Sequence, residues 1–194
     1  MAHRALTRGV AAGAATVFAA GALALFGGGV AGAATASVTW DDGATRFTRT
    51  SSNATPNAGD TITVTTKFER TNSTEERLNW VRDFHNTCLT YVPDSAKVND
   101  QAVEPYLEIK PGYVVGDFMS TSYRVWVTQT QTPIFSVQYK VGENCLRGAN
   151  LTAGMDYLGS RGSGNYADKG PQVTVGYLGG GDPGAGSLGS LFGS

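Results

Sequence analysis

Polar and apolar residues alternate along most of the chain beyond residue 36. In residues 61–69, Ile62, Val64 and Phe68 fall on one face, and Thr63, Thr65, Lys67 and Glu69 on the other. A period of two is the signature of a strand with one buried face. The same pattern sets Tyr123, Val125 and Val127 against Arg124, Trp126 and Thr128, and Phe135, Val137, Tyr139 and Val141 against Ser136, Gln138 and Lys140. Val173, Val175 and Tyr177 alternate near the end, and weaker candidates cover residues 37–40, 45–49, 78–84, 89–92, 114–118 and 152–158. β-Branched and aromatic residues dominate these runs, as strand interiors favour. Tight-turn residues separate them at Asn57-Ala58-Gly59-Asp60, Pro93-Asp94-Ser95, Pro111-Gly112 and Gly142-Glu143-Asn144. Residues 71–76 and 159–169 are expected to be longer loops. Short strands with one apolar face each need a second layer. The pattern therefore predicts an all-β, two-sheet sandwich of about seven to nine strands, with a closed barrel as the alternative.

The two ends break the pattern. Arg4 and Arg8 precede an uncharged Ala-, Gly-, Val- and Leu-rich run over residues 10–30. Ala31-Gly32-Ala33 and then Ala34-Thr35-Ala36 offer the small-residue spacing of a signal peptidase site. The run is long enough to cross a bilayer, but Gly13, Gly21, Gly27, Gly28 and Gly29 make it a poor helix. Residues 1–33 are expected to be a cleaved export signal and residues 34–178 the folded domain. Residues 179–194 hold seven glycines and one charge, Asp182. Such a segment buries too little apolar surface to offset its ordering entropy, so a disordered tail is expected.

Composition narrows the function. The 194 residues carry 15 basic and 16 acidic side chains, which excludes the basic excess of a nucleic-acid binder. Loss of Arg4 and Arg8 with the leader leaves 13 basic against 16 acidic. No later apolar segment predicts a membrane span. Cys88 and Cys145 are the only cysteines, and an even count in an exported chain points to one disulfide.

The segment from Ala58-Gly59-Asp60-Thr61-Ile62-Thr63-Val64 to Asn72 is followed by Val81-Arg82-Asp83. Leu89-Thr90-Tyr91-Val92-Pro93-Asp94-Ser95-Ala96-Lys97-Val98-Asn99 and Ser136-Val137-Gln138-Tyr139-Lys140-Val141 complete the order. Over residues 58–176 this order resembles the bacterial surface-repeat family called domain of unknown function eleven. The resemblance implies an immunoglobulin-like sandwich in an exported envelope or adhesion protein, and it supplies no catalytic residues. Phe84-His85-Asn86-Thr87-Cys88 follows Asp83 where the family prefers a Leu-Pro-small-Gly turn, so Cys88 stands where that family prefers glycine.

Catalytic and metal chemistry find little support. His85 is the one histidine outside the leader, and no Gly-x-Ser-x-Gly elbow is present. A pairing of His85 with Cys88 competes with the disulfide. The carboxylate pairs Asp41-Asp42, Glu75-Glu76 and Glu104 with Glu108 fall in polar segments, as solvated groups do. Asp94, Asn99 and Asp100 lack the acid-rich spacing of a calcium loop. Lys67 lies on a polar face, which speaks against an internal isopeptide bond. No catalytic residue, metal site or cofactor is therefore expected.

The remaining candidates are aromatic. Trp126, Trp40, Tyr106 and Tyr113 are expected to supply a binding face. The expected function is surface contact in the envelope or outside the cell, without enzymatic activity, toward an envelope protein or a glycan. An exported enzyme or enzyme inhibitor on the same scaffold is the alternative. Assembly by strand exchange would use an edge strand such as residues 45–49. The sequence assigns no oligomeric state.

Overall fold

The computed structural model describes residues 33–176, apart from residues 105, 121 and 123. Most of the expected leader, the Gly-rich tail, Tyr123, Tyr177 and residue 178 lie outside the described residues. Within them the chain is all-β: β1 (Ala36–Asp42), β2 (Thr45–Ser51), β3 (Thr61–Arg70), β4 (Glu76–Phe84) and β5 (Leu89–Tyr91). Then come β6 (Lys97–Val98), β7 (Gln101–Ala102), β8 (Leu107–Lys110) and β9 (Tyr113–Asp117). β10 (Val125–Val127), β11 (Ile134–Val141), β12 (Met155–Gly159) and β13 (Gly162–Tyr166) complete the series.

The strands form two antiparallel sheets. The first has the order β1-β2-β3-β11-β6-β7, with β5 also on β11; the second has the order β13-β12-β4-β9-β8, with β10 also on β4. Phe47, Ile62, Val64, Phe68, Phe135, Val137 and Val141 from the first sheet share one core with Leu78, Val81, Val114, Val125, Val127, Met155 and Tyr157 from the second. Ile62, Val64 and Phe68 are buried together, as their alternation predicts. The chain is a two-sheet sandwich.

Four details differ from expectation. Among the described residues thirteen strands are present; nine have four or more residues, β5 and β10 have three, and β6 and β7 are two-residue pieces too short to show alternation. Residues 162–166, expected as loop, form β13, because a two-residue turn folds them back on β12 and Tyr166 packs on Trp40 and Phe47. Residues 173–176 form no continuous strand; Thr174 makes an isolated bridge to Asn150, Val173 and Val175 are buried, and their carbonyls accept from Leu151 N and Gly148 N at 2.8 Å. The proposed edge strand at residues 45–49 is corrected: β2 is paired on both sides, by β1 and β3. Gly43, at φ 55°, permits the short hairpin that folds β1 across that edge.

Polar groups are buried between the sheets as well. Arg49 and Asp83 are each 1% exposed and meet at 2.5 Å, Arg49 from the first sheet and Asp83 from the second. Tyr139 donates to the other Asp83 oxygen at 2.8 Å, and Arg49 donates to Thr66 Oγ1 at 2.8 Å and to the Ala153 carbonyl at 3.0 Å. At one end, Arg70 donates to Glu76 at 3.0 Å and to Thr45 Oγ1 at 2.5 Å. Burial raises the Glu76 carboxyl's pKa despite the Arg70 charge. Gly159 makes room for that carboxylate, since a Cβ there would stand 2.0 Å from Glu76 Oε1.

Cys88 and Cys145 are joined in a disulfide across 57 residues. It closes the end of the β5–β11 pair, where Leu89 lies opposite Val141. A loop of this length constrains the unfolded chain by about 4 kcal/mol. Replacing both cysteines by serine is expected to lower the unfolding free energy in urea by about that amount; an unchanged midpoint would contradict it.

Candidate functional site

β4 builds the outward face of the second sheet. Its alternation slips at Leu78 and Asn79, which are both buried. Opposite them the register jumps, with Leu158 facing Trp80 and Gly159 facing Leu78. The extra residue, Asn79, is a β-bulge that shifts the phase of the strand. Its carbonyl accepts from Phe118 N at 2.8 Å and Met119 N at 3.2 Å. Without the bulge, Trp80 would share the inward face of Leu78. With it, Val81 and Asp83 turn inward while Trp80, Arg82 and Phe84 turn outward.

The register continues this outward face across neighbouring strands. Trp80 lies between Leu158 and Asp117, and Arg82 between Asp156 and Val115, with Glu108 beyond Val115. Phe84 lies beside Tyr113, with Lys110 beyond. The Arg82 guanidinium carbon stands 5.0 Å from the Tyr113 ring centre, 5.4 Å from Trp80 and 5.8 Å from Phe84. Each contact is within cation–π range. Arg82 also pairs with Asp156 at 3.3 Å. Burial raises the Asp156 carboxyl's pKa, and the Arg82 charge offsets this only in part.

A shallow depression of about 510 Å³ opens beside this cluster, lined by Trp80, Arg82, Tyr106, Glu108, Val115 and Asp117 among others. Tyr106 is 40% exposed, and its carbonyl accepts from Asp117 N at 3.0 Å. Asp117 Oδ1 accepts from Met119 N at 2.9 Å, and Oδ2 from the Ser120 hydroxyl at 2.6 Å. Glu108 accepts from the Tyr113 hydroxyl at 3.2 Å, with Lys110 at 3.9 Å. Burial, followed by Glu108, raises the Tyr113 pKa.

Of the aromatic residues singled out in the sequence, Tyr106 and Tyr113 come together around Arg82 and the depression. Trp126 is 42% exposed on the same sheet, opposite Arg77 and on the other side of the bulge. Trp40 lies apart, in the first sheet, where it stacks on Phe47 at 5.2 Å and meets Tyr166 edge-on at 5.3 Å. Trp80, Arg82, Phe84, Asp117 and Asp156 were not singled out. The available signal was Trp80-x-Arg82-x-Phe84, three large side chains at strand spacing with the cation in the middle.

The other candidates are placed as follows. His85 packs its ring 4.6 Å from that of Tyr139 and shares a hydrogen bond with the Asn86 carbonyl at 2.9 Å. The cavity that His85 lines with Arg49 and Tyr139 is about 20 Å³, room for roughly one water. Asp94, Asn99 and Asp100 occupy left-handed turn positions at φ 61°, 48° and 64°. Among the described residues, no group of three His, Cys, Asp or Glu side chains is placed to hold a metal ion. Lys67 pairs with Glu69 at 2.8 Å.

No family model matches the chain, and no curated protein matches it. Two of the 19 solved chains that are similar to it show the extent of the likeness. One is BcpA, the major pilin subunit of Bacillus cereus: 14% identity, TM-score 0.41, covering 63% of this chain. The chain spans 37% of that subunit's length. The other is AvmM, described as catalysing macrocyclization in alchivemycin A biosynthesis: 14% identity, TM-score 0.33, covering 64% of this chain and 84% of that one.

The raised Asp156 pKa has a sign that can be checked. The folded state holds the proton more tightly than the unfolded chain, so stability falls as pH rises from the ordinary value of 3.8 through the raised folded value. Urea unfolding of the protein and of Asp156→Asn should therefore differ by an amount that moves against the wild type across that window. A pH-independent difference would contradict it.

Proposed function

We propose that this chain is an exported, non-enzymatic, immunoglobulin-like module that acts by surface contact, in the envelope or outside the cell. The observation that carries the reading is the outward face of the second sheet. There, Trp80, Phe84 and Tyr113 surround the Arg82 guanidinium, and a depression lies beside them. The four side chains are half-buried, with the exposed Tyr106 at their edge, and aromatic and arginine side chains concentrated on one face are the composition of contact surfaces. The face is built on strands, so its geometry is held without a partner. Among the described residues, no helix is long and apolar enough to cross a membrane. The resemblance to domain of unknown function eleven supports the same setting.

Export supplies the compartment in which the Cys88–Cys145 disulfide persists. The two leader exits differ in their consequences. The Ala34 carbonyl accepts from Ala54 N at 2.7 Å, and Ala36 pairs with Ser51. Cleavage after Ala33 keeps both contacts, whereas cleavage after Ala36 removes them.

Binding of the purified protein to the envelope fraction of the producing cells tests the contact reading. Arg82→Ala combined with Tyr106→Ala is expected to weaken retention by about tenfold or more. Lys140→Glu, on the outward side of the first sheet, is expected to leave it unchanged. Equal retention of all three proteins, or none by the wild type, would overturn the reading.

A further inference from the structure

We propose that the depression beside Trp80 binds a neutral oligosaccharide. This rests on the contact reading above and names the ligand class of that same face. The volume of about 510 Å³ lies within the roughly 300–1,000 Å³ of small-ligand sites. Its shallow form suits an elongated ligand lying along the sheet.

Two kinds of surface line it. Trp80 and the exposed Tyr106 offer aromatic rings. A ring face carries negative potential, which attracts the polarised C–H groups on one side of a pyranose. Arg82, Glu108 and Asp117 offer planar polar groups. Their paired donors or acceptors match the spacing of adjacent sugar hydroxyls and form charge-assisted hydrogen bonds.

The groups are largely held before any ligand arrives. Asp117 is fixed by Met119 N and the Ser120 hydroxyl, Arg82 by Asp156 and the neighbouring rings, and the Tyr106 backbone by its bond to Asp117. Little ordering cost is left for binding. Charge selects the ligand further. Arg82 is already opposed by Asp156, and Glu108 has Lys110 at 3.9 Å, so Asp117 leaves the depression with a net negative balance. An acidic sugar would be repelled, and a neutral one meets no such penalty.

The test is to screen the purified protein against arrayed neutral and acidic oligosaccharides and to titrate the strongest neutral binder by calorimetry. Tyr106→Ala and Glu108→Gln are each expected to weaken binding by about tenfold. Lys140→Glu, on the outward side of the first sheet, should change it by less than about twofold. The proposal is overturned if no neutral oligosaccharide binds at about 1 mM, if acidic ones bind better, or if Tyr106→Ala and Glu108→Gln bind as the wild type does. Envelope binding that persists without oligosaccharide binding would overturn the ligand class alone; loss of both would remove the contact reading too.

Discussion

The Arg49 guanidinium and the Asp83 carboxylate meet between the sheets, almost wholly removed from bulk water. A buried charge without a partner costs several kcal/mol, so each of these groups requires the other. Arg49 reaches across from the first sheet, and Asp83 reaches back from the second. Tyr139 and Thr66 complete the hydrogen bonds, and burial with Asp83 pushes the Tyr139 pKa well up, so its hydroxyl remains a donor. Such a pair specifies an arrangement more than it adds stability. Slipping β4 by one residue would place Asp83 in solvent and leave Arg49 buried alone.

That constraint reaches the outer surface. If Asp83 must face inward, its neighbours Arg82 and Phe84 must face outward, and so must Trp80. Leu78 also faces inward, which the regular alternation of a strand cannot reconcile with Asp83. The bulge at Asn79 resolves the conflict, and the carbonyl freed there is taken up by the chain after β9. The aromatic-guanidinium face thus follows from a polar pair on the opposite side of the same strand.

Much of the architecture was legible in the sequence. Strict alternation at residues 61–69 and 134–141 marked the two central strands of the first sheet, because both have one buried and one polar face. Pro111-Gly112 marked the β8–β9 turn, where Gly112 takes φ 94°. The two cysteines pointed to their bridge. The rest was hidden for identifiable reasons. Arg49 occupies an inward position that a hydrophobic pattern assigns to an apolar residue. A bulge reverses the phase of β4 with no mark in composition, so Trp80, Arg82 and Phe84 could not be assigned a face. β13 is hidden by its glycines, although Gly164 leaves the space that the Tyr166 ring fills. Tyr106 and Tyr113 were recognisable as aromatic candidates, but only the β8–β9 pairing brings them to Arg82. Trp40 has the same composition signal, yet it stands opposite Phe47 and turns toward the core.

The central claim is that Arg49 and Asp83 act as a unit that sets the phase of β4. A double-mutant cycle on unfolding free energy tests it most directly, using Arg49→Met, Asp83→Leu and the combination. Each single change strands a buried charge and is expected to cost about 3–5 kcal/mol. The combined change removes both charges and should cost far less than the sum of the two. Additive losses would contradict the account.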